Sequence, residues 1–160
     1  MIKHLAFAAM ALAIIVGAPL AAAAHGYTLG ALTIGHPWSR PTSPGAPTAA
    51  GYLTITNTGT TPDRLLGGST PAATRIEIHV TSMTGRIMRM RPVVGGLLAP
   101  AGQTVTLAPG GYHLMIVGPK HAFRIGDHIP ATLRFEHAGE VKVEFYVEAA
   151  APAQSMPGTH

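Results

Sequence analysis

Beyond Ala24 the sequence is cut by Gly, Pro, Asn and Asp into short apolar or alternating runs, and this punctuation is what most limits the fold. A long amphipathic helix needs an uninterrupted period near 3.6, which no segment here sustains, whereas short alternating runs between turn residues suit strands. Strands are predicted near Tyr27–Gly35, Ala50–Asn57, Arg64–Gly67, Arg75–Val80, Arg86–Val93, Thr104–Leu107, Tyr112–Val117, Ala131–Phe135 and Val141–Val147. Turns are expected at Asn57-Thr58-Gly59, Pro109-Gly110-Gly111 and His137-Ala138-Gly139-Glu140, where Gly and Asn tolerate positive φ. Pro37 to Pro47 holds four prolines and reads as an ordered surface loop. The 160 residues suit one domain, and the pattern is that of an all-β sandwich or barrel.

The first 24 residues read differently. Met1-Ile2-Lys3-His4 is a short basic start, Leu5 to Leu20 is apolar, and Ala22-Ala23-Ala24 offers small residues for cleavage, as in a secretory signal peptide. The expected organisation is therefore a signal peptide over 1–24, a β domain over 25–148 and a flexible tail over 149–160, with periplasmic export and no membrane span after cleavage. Cysteine is absent, which removes disulfides, thiolate zinc sites and thiol nucleophiles. Any soft metal must then be held by thioether sulfur and imidazole nitrogen. A formal charge of +4, with only Arg86, Arg89 and Arg91 clustered, gives no support to nucleic-acid binding. Those three arginines could attract an acidic partner surface.

Alternation along Arg75–Val80 puts Ile76, Ile78 and Val80 on one face and Arg75, Glu77 and His79 on the other. The same rule applied to Tyr112–Val117 buries Tyr112, Leu114 and Ile116 and sends His113 and Met115 outward together, about 6–7 Å apart along the strand. Met88 and Met90 share a face between arginines, where a soluble strand would ordinarily carry polar residues. Imidazole and thioether ligands together suit Cu(I), so His79, Met90, His113 and Met115 are the candidate metal ligands. Uncharged sulfur favours Cu(I) over Cu(II), and a site at the sheet surface suits transfer to a protein acceptor better than storage.

The spacing His79, ten residues, Met90, then His113-Leu114-Met115 resembles the copper signature of the PCu(A)C chaperones, H-x10-M-x21-H-x-M. His36-Pro37-Trp38-Ser39-Arg40, Ala50 to Asn57, Met88-Arg89-Met90-Arg91-Pro92 and Pro109 to Met115 also look like blocks of that family. One departure is that 22 residues separate Met90 from His113, with the additional one assigned to a loop over Val94–Gly102. The resemblance implies a single cupredoxin-like Greek-key β-barrel or sandwich. It also implies a non-enzymatic metallochaperone delivering Cu(I) to an acceptor, a cytochrome c oxidase subunit or a Sco-type protein, in oxidase copper-site assembly.

Other residues are weighed against this set. Met83 and Met88 are auxiliary or relay thioethers, or else a loop residue and a locally packed one. His36, His121, His128 and His137 read as structural or surface residues, Trp38 as a packing anchor, and the seven acidic residues as solvated strand faces and turns. Cleavage after Ala24 would leave His25 as an N-terminal amine and imidazole able to chelate Cu(II), with Met156 and His160 in the tail as further donors. A copper buffer, an oxygen-activating copper enzyme and a passive β-sandwich module remain alternatives. A blue-copper carrier is disfavoured because its cysteine ligand is missing.

Overall fold

A computed structural model describes residues 26–149. The signal peptide, His25, Met156, His160 and the tail apart from Ala149 lie outside the described residues. All regular structure among the described residues is β: β1 Gly26–Leu29, β2 Leu32–Ser39, β3 Thr48–Asn57, β4 Asp63–Ser69, β5 Arg75–Thr84, β6 Ile87–Pro92, β7 Leu97–Ala99, β8 Thr104–Leu107, β9 Tyr112–Val117, β10 His128–Phe135 and β11 Glu140–Val147. Pairings run β2-β11-β10-β4-β5-β9-β3, and β3 pairs back to β2, so the sheet closes into a barrel. The β11–β2 seam is parallel, through Tyr146↔Trp38 and Val147↔Ser39, while the other pairings are antiparallel. Closure leaves few free edges, which an all-β chain must otherwise protect.

The interior is filled by alternate residues of the ring strands. Ile34, Leu53, Ile55, Leu65, Leu114, Ile116, Leu133 and Phe145 are almost wholly buried, and Phe123 joins them from the loop before β10. Burial of each such side chain stabilises the fold by about 1.5–3 kcal/mol, so a core forms without a disulfide. The nine expected strands become eleven. Tyr27–Gly35 divides at Gly30, whose φ of 58° makes a tight turn between β1 and β2. Inside the stretch expected as a loop over Val94–Gly102, Leu97–Ala99 pairs with β4 as β7, burying Leu97 and Ala99.

Three further expectations are corrected. Pro37 to Pro47 is a loop only from Arg40 onward, because β2 passes through Pro37 to Ser39 with a bulge between Gly35 and Trp38. The remaining loop is ordered as expected: the Thr42 backbone N–H donates to the Phe123 carbonyl at 2.9 Å, and its hydroxyl accepts from the Phe123 N–H at 2.9 Å. Tyr112 is exposed rather than buried, since it opens β9 where the barrel ends. His113 leaves the interior as expected but does not reach solvent: it is only 6% exposed, because neighbouring strands and loops cover that face.

Candidate metal centre

Three strands of one sheet face carry the four candidate ligands. β5 and β9 pair antiparallel with His79 directly opposite His113, so the two imidazoles stand side by side, their ring centroids 6.0 Å apart. With metal–nitrogen bonds of about 2.0 Å, two rings sharing one ion stand roughly 5–6 Å apart between centroids. Met115 follows two residues after His113 on the same face, opposite Glu77. Met90 sits on β6 opposite Thr81, and Thr81 shares the face of His79. Met90, His113 and Met115, together with Met88, line a cleft of about 450 Å³ whose other walls include Arg40, Pro41 and Thr42 of the ordered loop and Pro109-Gly110 of the β8–β9 turn. His79 adjoins it through its contact with His113.

Hydrogen bonds divide each ring into one occupied and one available nitrogen. The Gly111 carbonyl can only accept, so His113 Nδ1–H donates to it at 3.1 Å and Nε2 keeps its lone pair in the neutral ring. His79 is fixed the other way round, its Nε2–H donating to Glu77 Oε2 at 2.9 Å. Its Nδ1 is buried and has no hydrogen-bond partner. Leaving such an atom unpaired costs about 1–3 kcal/mol, a cost that a bound soft ion would remove. Carboxylate, imidazole and vacant ring nitrogen in series is the arrangement that orients metal-binding histidines. Glu77 is held in turn by Arg75, and the hydrogen bonds from Arg75 and then His79 keep its carboxyl below the ordinary carboxylate range.

The sequence reading missed Glu77, treating it as a solvated strand face, although Arg75, Glu77 and His79 alternate onto one face and Glu-x-His is the local signal for such a pair. His36, His121, His128 and His137 do not join the cleft. Trp38 packs at 4.6 Å between ring centroids on Tyr52, as a packing anchor should. Among the described residues no group of three or more His, Asp or Glu side chains is placed to hold a metal, and the donor atoms lining this cleft include the His113 imidazole and the thioethers of Met88, Met90 and Met115.

The closed all-β barrel is a cupredoxin-like fold, and solved structures share it. The copper-bound PCuAC domain from PmoF2 is 31% identical, with a TM-score of 0.68 over 78% of this chain and 98% of that one. The apo PCuAC domain from PmoF1 is 32% identical, with a TM-score of 0.66 over 78% and 99%. Cu(I)-DR1885 from Deinococcus radiodurans is 27% identical, with a TM-score of 0.56 over 79% and 83%. The family described as "Putative lipoprotein LpqE-like" matches residues 32–147, and the chain belongs to that family, which is of the PCu(A)C type. "Putative lipoprotein Lxx21020" of Leifsonia xyli subsp. xyli is 34% identical over 91 residues, 57% of this chain and 55% of that protein, so the match spans about half of that relative.

Proposed function

We propose that the chain is a Cu(I)-binding metallochaperone whose ion is held by His79 Nδ1, His113 Nε2 and the sulfurs of Met90 and Met115. The observation that carries this reading is the pairing of two imidazoles, each with one nitrogen engaged by the protein and the other available, beside a cleft lined by methionines. Two neutral nitrogens and two neutral sulfurs suit a soft monovalent ion and leave its positive charge only partly compensated. Met90 is 56% exposed, so an acceptor can displace it and take the ion by stepwise ligand exchange. No covalent bond of a substrate is made or broken, which is transfer rather than catalysis.

Supporting this reading, two of the similar structures contain copper by name. Export to the periplasm behind a leader cleaved near Ala24, and delivery to cytochrome c oxidase assembly through an oxidase subunit or a Sco-type acceptor, extend the reading from the family resemblance. The lipoprotein names of the relatives also fit an exported protein, although none of these 160 residues is a cysteine to which lipid could attach. Anaerobic titration of Cu(I) against a chromogenic competitor tests the site. One tight equivalent is expected for the native chain, and its loss for Met90→Leu/Met115→Leu. Retention of tight binding in that variant would remove both thioethers from the ligand set.

A further inference from the structure

We propose that Met83 and Met88 form an outer thioether pair at the tip of the β5–β6 arm, a transient Cu(I) site from which the ion reaches the cleft by ligand exchange. This rests on the copper reading of the cleft and adds the route by which it is loaded. Beyond Val80, β5 leaves β9 and pairs only with β6, so residues 81–92 form a two-stranded arm turning at Gly85-Arg86. Met83 lies directly opposite Met88, which puts their Cα atoms about 4.5–5.5 Å apart on the same face. Met90 follows Met88 on that face about 6–7 Å further toward the barrel. Met88 and Met90 both line the cleft with His113 and Met115. The methionines therefore run without a gap from the arm's tip to the cleft.

Exposure and charge say what this line does. Met83 is 65% exposed and Met88 63%, where the rest of a solvated arm would ordinarily be polar. Flexible, unbranched thioether chains can hand over a soft ion between neighbours. The pair contains no imidazole, and Arg86, Arg89 and Arg91 on the same arm oppose retention of a cation, so the ion stays briefly. Arg89 faces Ser82 and Arg91 faces Val80, both on the reverse face, which leaves the methionine side open. The ion remains Cu(I) throughout: one copper–sulfur bond forms as another breaks, and no electron or proton moves.

The competing role for exposed methionines is an apolar docking patch, and Met→Leu separates the two because it keeps size and apolar area while removing sulfur. The test uses protein labelled at the methionine methyl carbons, titrated anaerobically with Cu(I), and compares it with Met83→Leu, which removes the sulfur at the tip and leaves every residue lining the cleft in place. The expected result is that the Met83 and Met88 methyl signals shift as well as those of Met90 and Met115. Met83→Leu should keep the affinity and stoichiometry of the cleft, yet take Cu(I) from a chromogenic complex severalfold more slowly in stopped flow. Response at Met90 and Met115 alone overturns the outer pair and leaves the cleft standing, and an unchanged loading rate overturns the relay whatever the shifts. If no methionine signal responds, the cleft reading fails and the relay fails with it.

Discussion

At the level of single residues, the His79 ring is held by one side chain, and that side chain makes a prediction. Glu77 takes the Nε2 hydrogen, so the lone pair falls on Nδ1, the buried and unpartnered nitrogen. Removing the carboxylate in Glu77→Ala frees the ring to turn and to change tautomer without touching a ligand. Loss of such an orienting partner typically costs about 10–100-fold in metal affinity, and that range is expected for Cu(I) here. Competitive titration measures it, and a variant binding as tightly as the native chain would show that Glu77 orients nothing. His113→Ala should do more, abolishing the tight equivalent, because it removes a proposed ligand outright and empties a nearly buried position. The shared facing of the candidate ligands was legible from alternation, as His79, His113 and Met115 lie on one face of β5 and β9. What alternation could not supply was how deeply His113 is covered, since that depends on a loop more than sixty residues earlier in the chain, whose Arg40, Pro41 and Thr42 form a wall of the cleft.

Among the elements, the β10–β11 turn shows how a charged residue can be structural. Asp63 at the start of β4 is buried, and its Oδ1 accepts from the backbone N–H of Arg64 at 2.7 Å and of His137 at 3.0 Å. Its Oδ2 accepts from the Ala138 N–H at 2.9 Å. Burial raises its pKa, but the hydrogen bonds from His137, Arg64 and Ala138 outweigh burial and hold the carboxyl below its ordinary value. Asp63→Ala should therefore cost about 2–3 kcal/mol at pH 7, read from urea denaturation. Because the folded pKa is the lower one, this stabilisation is complete above the unfolded value of about 3.9 and is lost as pH falls through the folded value. The gap between native chain and variant should accordingly shrink in acid, and a gap independent of pH would assign the loss to packing instead. The sequence placed the turn at His137-Ala138-Gly139-Glu140, where Gly139 has φ 94°, but treated Asp63 as solvated, because its partners His137 and Ala138 lie more than seventy residues away. β7 was hidden for a similar reason: three residues between Gly95-Gly96 and Pro100 carry no periodicity, and only the pairing with β4 makes them a strand.

Over the whole molecule, the closed barrel and the β5–β6 arm that projects from it differ in how firmly they are held. The barrel strands pair on both sides around a buried core, whereas β6 pairs only with β5 and all six of its residues are exposed. In the metal-free chain β6 should therefore open far more often than the barrel, because little apolar contact holds it. Under the proposed ligation Cu(I) ties Met90 of β6 to His79 of β5 and to His113 and Met115 of β9, a second fastening across the base of the arm. Binding to the folded chain alone adds about 2.7 kcal/mol at a hundredfold excess over Kd, and for a domain of this size that raises Tm by on the order of 10 °C. Amide exchange monitored with and without one equivalent of Cu(I) locates the effect. Slowing is expected over residues 87–92 under conditions where exchange occurs by local opening, with the β10–β11 amides changed little. Met90→Leu should keep a folded barrel, yet lose the selective slowing of β6. If copper raises Tm while β6 exchanges as before, the ion is bound without Met90, and the fourth ligand must come from elsewhere than the arm.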